Sequence, residues 1–113
     1  MLKNLLIILL SFSLLLSCSK NKEIVIAEPT DEEKAITIYD EAVKALKEGD
    51  AFYAGKKFKE VEILMPQSEW AAKASLMSSY SDYSRNSYAS AVFGLERHIN
   101  NYPADKNIPY AHY

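Results

Sequence analysis

Residues 35–66, AITIYDEAVKALKEGDAFYAGKKFKEVEILMP, are answered 37 positions later by residues 72–103, AKASLMSSYSDYSRNSYASAVFGLERHINNYP. In that alignment Ala35 falls on Ala72, Tyr39 on Leu76, Val43 on Tyr80 and Leu46 on Tyr83. Gly49 then falls on Asn86, Ala54 on Ala91, Phe58 on Leu95 and Pro66 on Pro103. Within the first copy Ile38, Ala42, Ala45 and Leu46 recur at helical spacing, and Gly49-Asp50 breaks the pattern. Ala54, Phe58, Val61 and Leu64 resume it before Pro66. Two apolar stripes of this kind belong to two antiparallel helices. In the second copy Asn86-Ser87 stands where Gly49-Asp50 stood, and asparagine tolerates the positive φ that such a turn needs.

A period in the mid-thirties, a small residue early in the second helix, an aromatic four positions on and a closing proline read as a tetratricopeptide-type repeat. Its usual length is about 34 residues, so the extra residues lengthen a helix or a connection. A third copy begins at Asn107-Ile108-Pro109-Tyr110-Ala111-His112-Tyr113, with Ala111 on Ala74 and Tyr113 on Leu76. The expected fold is therefore all-α: an α-solenoid of tetratricopeptide-like helical hairpins, two complete and the start of a third. The competing architecture is a two-hairpin bundle that is only superficially periodic.

Composition is that of an ordinary globular chain: 113 residues, 49% apolar, 25% charged, three Gly and four Pro. Net charge is −2, and the Lys56, Lys57, Lys59 group is followed at once by Glu60 and Glu62, so no basic stripe offers itself to nucleic acid. The single Cys18 cannot form an internal disulfide, and His98 and His112 have no thiol between them with which to build a metal site. No metal or cofactor is expected.

Residues 1–17 carry a basic residue at Lys3, an apolar run from Leu5 to Leu16 and a small residue at Ser17. That run is too short to cross a hydrocarbon core, which needs roughly 20 helical residues, and has the layout of a secretory signal. Leu15-Leu16-Ser17-Cys18 resembles the lipobox of bacterial lipoproteins, which implies a lipid-modified Cys18 as the mature first residue. Two or more acyl chains anchor a protein stably without spanning the bilayer. A general signal peptide cleaved elsewhere is the alternative. By the lipoprotein sorting rule Ser19, not being Asp, permits export to the outer membrane. Residues 18–30 read as a tether, with Ile24–Ile26 able to add an extended contact to the repeats.

Thr30 and Glu33 have capping-box spacing, so the first helix should begin near Asp31 and end near Glu48. The second should run from about Phe52 to Met65, the third from a Ser68 cap to Arg85, and the fourth from about Tyr88 to Tyr102. Repeat boundaries at 31–67, 68–104 and 105–113 follow. Gly55 inside a helix points to close approach of a neighbour or to simple tolerance. The fourth helix should bury Ala91, Val92, Leu95 and Ile99 and turn Glu96, Arg97 and Asn100 outward. His98, at the position of Val61, reads as a hydrogen-bonded packing residue.

In such arrays the first helices of successive units line the concave wall. The inward positions are Tyr39, Val43 and Leu46 in one unit and Leu76, Tyr80 and Tyr83 in the next, followed by Tyr110 and Tyr113. That wall is an apolar groove edged with phenol hydroxyls, suited to an extended or aromatic-ended peptide. For Leu46 and Leu76 plain packing between helices is an equal reading.

The lipobox cysteine, the short tether and the repeats, above all LERHINNYPADKNIPYAHY (residues 95–113), together resemble the BamD (ComL) family of outer membrane protein assembly factors. The resemblance implies a five-repeat lipoprotein on the periplasmic face of the outer membrane, in complex with the barrel insertase BamA and other assembly subunits. It also implies a role in folding and inserting β-barrel clients, with the amino-terminal repeats proposed to contact the client's carboxy-terminal signal. The sequence stops a turn into its third repeat, leaving an uncapped apolar face, which favours reading it as a fragment rather than a truncated product. A tetratricopeptide lipoprotein adaptor in cell division or peptidoglycan synthesis is the runner-up, although no coiled coil lies between Cys18 and Asp31. An enzyme is disfavoured: there is no Ser/His/Asp or Cys/His set, no phosphate-cradling glycine loop and no isolated carboxylate pair.

Overall fold

The structure, a computed structural model, describes residues 1–4 and 27–113. The lipid attachment expected at Cys18, and most of the leader and tether, lie outside those residues. Five helices are set out in order: α1 Asp31–Lys47, α2 Ala51–Leu64, α3 Glu69–Ser84, α4 Tyr88–Asn101 and α5 Ile108–His112. Each packs antiparallel on the one before it, and α1 also touches α3, as in stacked tetratricopeptide-like hairpins. No helix among the described residues is long and apolar enough to cross a membrane.

The helix ends follow the sequence signals. Thr30 Oγ1 accepts from the Glu33 amide at 3.2 Å while the Thr30 amide donates to Glu33 Oε2 at 2.8 Å, completing the capping box. The Thr30 amide, and then the Thr30 hydroxyl donating to the same oxygen at 3.1 Å, hold the Glu33 carboxyl below its ordinary pKa. Gly49 has φ +91° and hands over to Asp50, whose carboxylate accepts from the Tyr53 amide at 3.0 Å. Asn86 supplies φ +63° at the matching turn, and Ser68 Oγ accepts from the Ala71 amide at 3.0 Å. Gln67 is also left-handed, at φ +62°, a turn position that the sequence does not advertise.

The core is built from small side chains. Ala35, Ala42, Ala54, Phe58, Val61 and Ala74 are fully buried, with Ile38, Tyr39, Val43, Leu46, Trp70 and Met77 packed around them. Tyr39 meets Phe58 and Trp70 edge-on, at ring-centroid distances of 5.2 and 5.5 Å. The middle helix, α3, buries Ala71, Ala72, Ala74, Ser75, Ser78, Ser79 and Ser81 between its two neighbours. Glycines face that small surface from both sides: a Cβ on Gly55 would stand 3.4 Å from Ser81 Cβ, and one on Gly94 only 2.4 Å from Ser79 Oγ. Close approach is therefore the reason for Gly94, whereas at Gly55, where a Cβ would make only ordinary contact, the glycine is simply tolerated. The outward face of α1, with Glu33, Thr37, Asp40 and Lys44, is polar and exposed.

Three expectations for α4 need correction. Val92 is 55% exposed, so the buried stripe runs through Ala91 and His98, with Leu95 and Ile99 half-buried. Arg97 does not face out: its guanidinium reaches back to α2 and holds Glu62 with two bonds, of 3.0 and 2.9 Å. Tyr102 OH donates to the same carboxylate at 3.1 Å, so three side chains clamp repeat 1 to repeat 2. His98 is fully buried as expected of a packing residue, but neither ring nitrogen has a hydrogen-bond partner among the described residues.

Candidate functional site

The face of repeat 2 formed by α3 and α4 carries a groove of about 480 Å³. Its floor is Leu76, Met77, Ala91, Val92 and Leu95; its rim is Tyr80, Tyr83, Tyr88 and Tyr110, with Ser79 the one non-aromatic hydroxyl. Helical spacing puts Leu76, Tyr80 and Tyr83 on one side of α3, and the short α4 entry at Ser87-Tyr88 brings Tyr88 against Tyr83 at a centroid distance of 5.6 Å. Tyr88 OH is fixed by donating to Asn86 Oδ1 at 2.9 Å, so the left-handed turn residue also orients the rim. Tyr110 enters from α5.

Of the residues singled out in the sequence, Leu76, Tyr80, Tyr83 and Tyr110 come together here. Tyr80, Tyr83 and Tyr110 are 53, 59 and 76% exposed. Tyr113, also exposed, lies beyond the lining. Tyr39 and Val43 do not join the groove; they are packed against the repeat 1 core together with residues of α3. Tyr88 and Val92 were missed, because their counterparts 37 positions earlier, Ala51 and Gly55, are too small to announce a surface.

The repeat makes the origin of the groove plain. Leu76, Tyr80, Tyr83, Ala91 and Leu95 are the counterparts of Tyr39, Val43, Leu46, Ala54 and Phe58, which pack with Trp70, Ala74 and Met77 of α3. In repeat 2 the corresponding helix is α5, and its contribution to the lining is Tyr110. Among the described residues, then, this is a surface of core character with phenols along its edge. Among the described residues no carboxylate, imidazole or ammonium lines it, so its hydroxyls have no neighbouring base to activate them and it offers binding area with hydrogen-bonding handles. No group of His, Cys, Asp or Glu side chains able to hold a metal occurs among the described residues.

A second depression, of about 860 Å³, lies between α2 and α4 over the serines of α3. Ile63 and Phe93 form its lips, and Lys59, Glu62, Asp82 and Arg97 give it a mixed charged wall. Glu62 and Asp82 are already paired, with Arg97 and Arg85.

Residues 31–113 match the YfiO family, described as outer membrane lipoproteins. Among curated proteins, the chain is 34% identical over 83 residues to the outer membrane protein assembly factor BamD of Caulobacter vibrioides, covering 74% of this chain and 27% of that protein. It is 30% identical over 76 residues to the assembly factor BamD of Xylella fastidiosa strain 9a5c, covering 67% of this chain and 26% of that protein. The chain thus spans about a quarter of the length of the relatives it matches. No solved structure matches. The chain belongs to the YfiO/BamD family of outer membrane lipoproteins.

Proposed function

We propose that this family member is a non-catalytic scaffold in outer-membrane β-barrel assembly, held to the membrane by lipid on Cys18, and that it receives polypeptide through the tyrosine-rimmed groove of repeat 2. The observation that carries the reading is the convergence of Tyr80, Tyr83 and Tyr110, each more than half exposed, on one apolar floor. Exposed aromatics are normally scattered; clustered on a concave apolar surface they mark a place where another chain is desolvated. Tyrosine suits this because it offers large area with few rotors to freeze and one hydroxyl to satisfy a backbone group of the guest. Clients would be unfolded barrel proteins, and partners the insertase BamA and other subunits of the machinery, as the family resemblance implies. Tyr113 and the half-buried Tyr39 and Val43 play supporting parts, the last two by fixing the position of α3.

The test is capture of peptides that end in the aromatic carboxy-terminal signal of barrel proteins, by photocrosslinking to the purified chain. The Tyr80→Ala, Tyr83→Ala double variant should lose about thirtyfold or more in capture, since two such anchors contribute roughly 1–2 kcal/mol each. Its helical circular dichroism should be unchanged. Undiminished capture in the double variant rules the groove out.

A further inference from the structure

His98 occupies in repeat 2 the place that Val61 holds in repeat 1, and both side chains are fully buried. Val61 belongs to the core cluster that includes Ala74 of α3; the counterpart of Ala74 is Ala111 of α5, itself only 6% exposed. His98 thus stands at the seam where α5 joins the array, its ring 5.5 Å from that of Tyr102. Both Nδ1 and Nε2 lack a partner among the described residues. A neutral imidazole there leaves polar atoms unsatisfied, and an imidazolium would be far costlier. Valine at the same place in repeat 1 has neither cost.

The charged groups acting on the ring are Asp105 from the α4–α5 connection, Glu62 from α2 and Arg97 from α4 itself, with none from α3 among them. Glu62 is already held by Arg97 and Tyr102. Asp105 uses Oδ1 to accept from the Asn107 amide, which leaves its second oxygen able to accept from a positive ring. The two are not hydrogen-bonded, so joining them draws on the connection that carries α5.

We infer that His98 makes the junction between α4 and α5 acid-labile: on taking up a proton the ring draws in Asp105 and water, and α5 separates from α4. Burial holds the imidazole pKa below its ordinary 6.5. Above 6.5 the closed and open forms are both neutral and the junction is at full strength. As pH falls through 6.5 the open form binds the proton first, and opening grows by up to about tenfold per pH unit until the buried ring itself titrates. Since Tyr110 belongs to α5, the rim of the groove opens with it.

The test is hydrogen exchange of residues 108–113, corrected for its intrinsic pH dependence, between about pH 7 and pH 5. The parent and the His112→Gln variant, which removes the only other histidine, should lose about tenfold or more in protection. His98→Val and the polar but non-titrating His98→Gln should lose none, and His98→Val should also melt roughly 5 °C higher. A flat parent profile overturns the proposal, and so does a slope that survives in the His98 variants. Peptide capture falling over the same pH range is a further consequence that rests on the groove reading above. The exchange measurement needs no ligand, so the two readings fail separately.

Discussion

Gly55 and Gly94 look alike in the sequence, each a single glycine inside the second helix of its hairpin, yet they do different physical work. At Gly55 an added methyl would meet Ser81 Cβ at 3.4 Å, which is ordinary contact. The gain in helix propensity then dominates, and Gly55→Ala should stabilise the chain by about 0.5–1 kcal/mol in urea denaturation. At Gly94 the methyl would fall 2.4 Å from Ser79 Oγ and 3.3 Å from its Cβ. Overpacking costs about 1–3 kcal/mol, which outweighs the propensity gain, so Gly94→Ala should destabilise by about 1 kcal/mol. Adding Ser79→Ala removes the closest clash and should return most of that loss; if it returns none, the close approach of α3 and α4 is not what fixes Gly94.

At the level of elements, α2 and α4 are tied by the Glu62, Arg97 and Tyr102 clamp. The Glu62 side chain is only 11% exposed, so losing its partner strands a carboxylate away from water. Arg97 is 38% exposed, which moderates the effect, and Arg97→Met should cost roughly 1–3 kcal/mol by chemical denaturation. A Glu62→Leu, Arg97→Met pair should recover much of it, because no charge is then left alone. Tyr102 gives the same clamp an alkaline signature. Burial first, and then Glu62, push its phenol from 10.0 up to about 12. A raised folded pKa means the contribution is complete below 10.0 and is lost as pH rises toward 12. Tyr39, through burial, and Tyr53, through its bond to Glu41, are raised as well, so the ultraviolet titration of Tyr102→Phe should lose one late-ionising phenol while others remain, and the loss of stability above pH 10.0 should flatten.

Helix ends were legible because caps are local: Thr30 with Glu33, Asp50, Ser68 and Asn86 each act within a few residues. The inner face of α3 was less so. Its buried stripe is alanine and serine, and a search for apolar periodicity settles instead on Tyr80 and Tyr83, which are exposed. Arg97 was misplaced for a related reason, since a charge 35 positions from its partner has no local pattern to betray it.

Across the whole molecule, the duplication of 37 residues carried the architecture, and what it could not carry was the difference between the copies. Among the described residues the same positions are core in repeat 1 and groove lining in repeat 2, and register alone does not tell the two faces apart. On that symmetry Tyr39 and Val43 group with Tyr80 and Tyr83; α3 breaks it by packing against the first pair.

The polar outer side of α1 has a bearing on how such molecules meet. Trp70, Ala74, Met77 and Ser81 of α3 correspond to Glu33, Thr37, Asp40 and Lys44 of α1, so the helix that would have to dock into the groove of another copy carries charge where α3 carries tryptophan and methionine. Two copies stacked end on end would bury those charges against Leu76 and Leu95 with nothing to neutralise them. A second copy of this chain, offering that polar side of α1, is therefore a poor guest for the groove, and a segment with an apolar face is a better one.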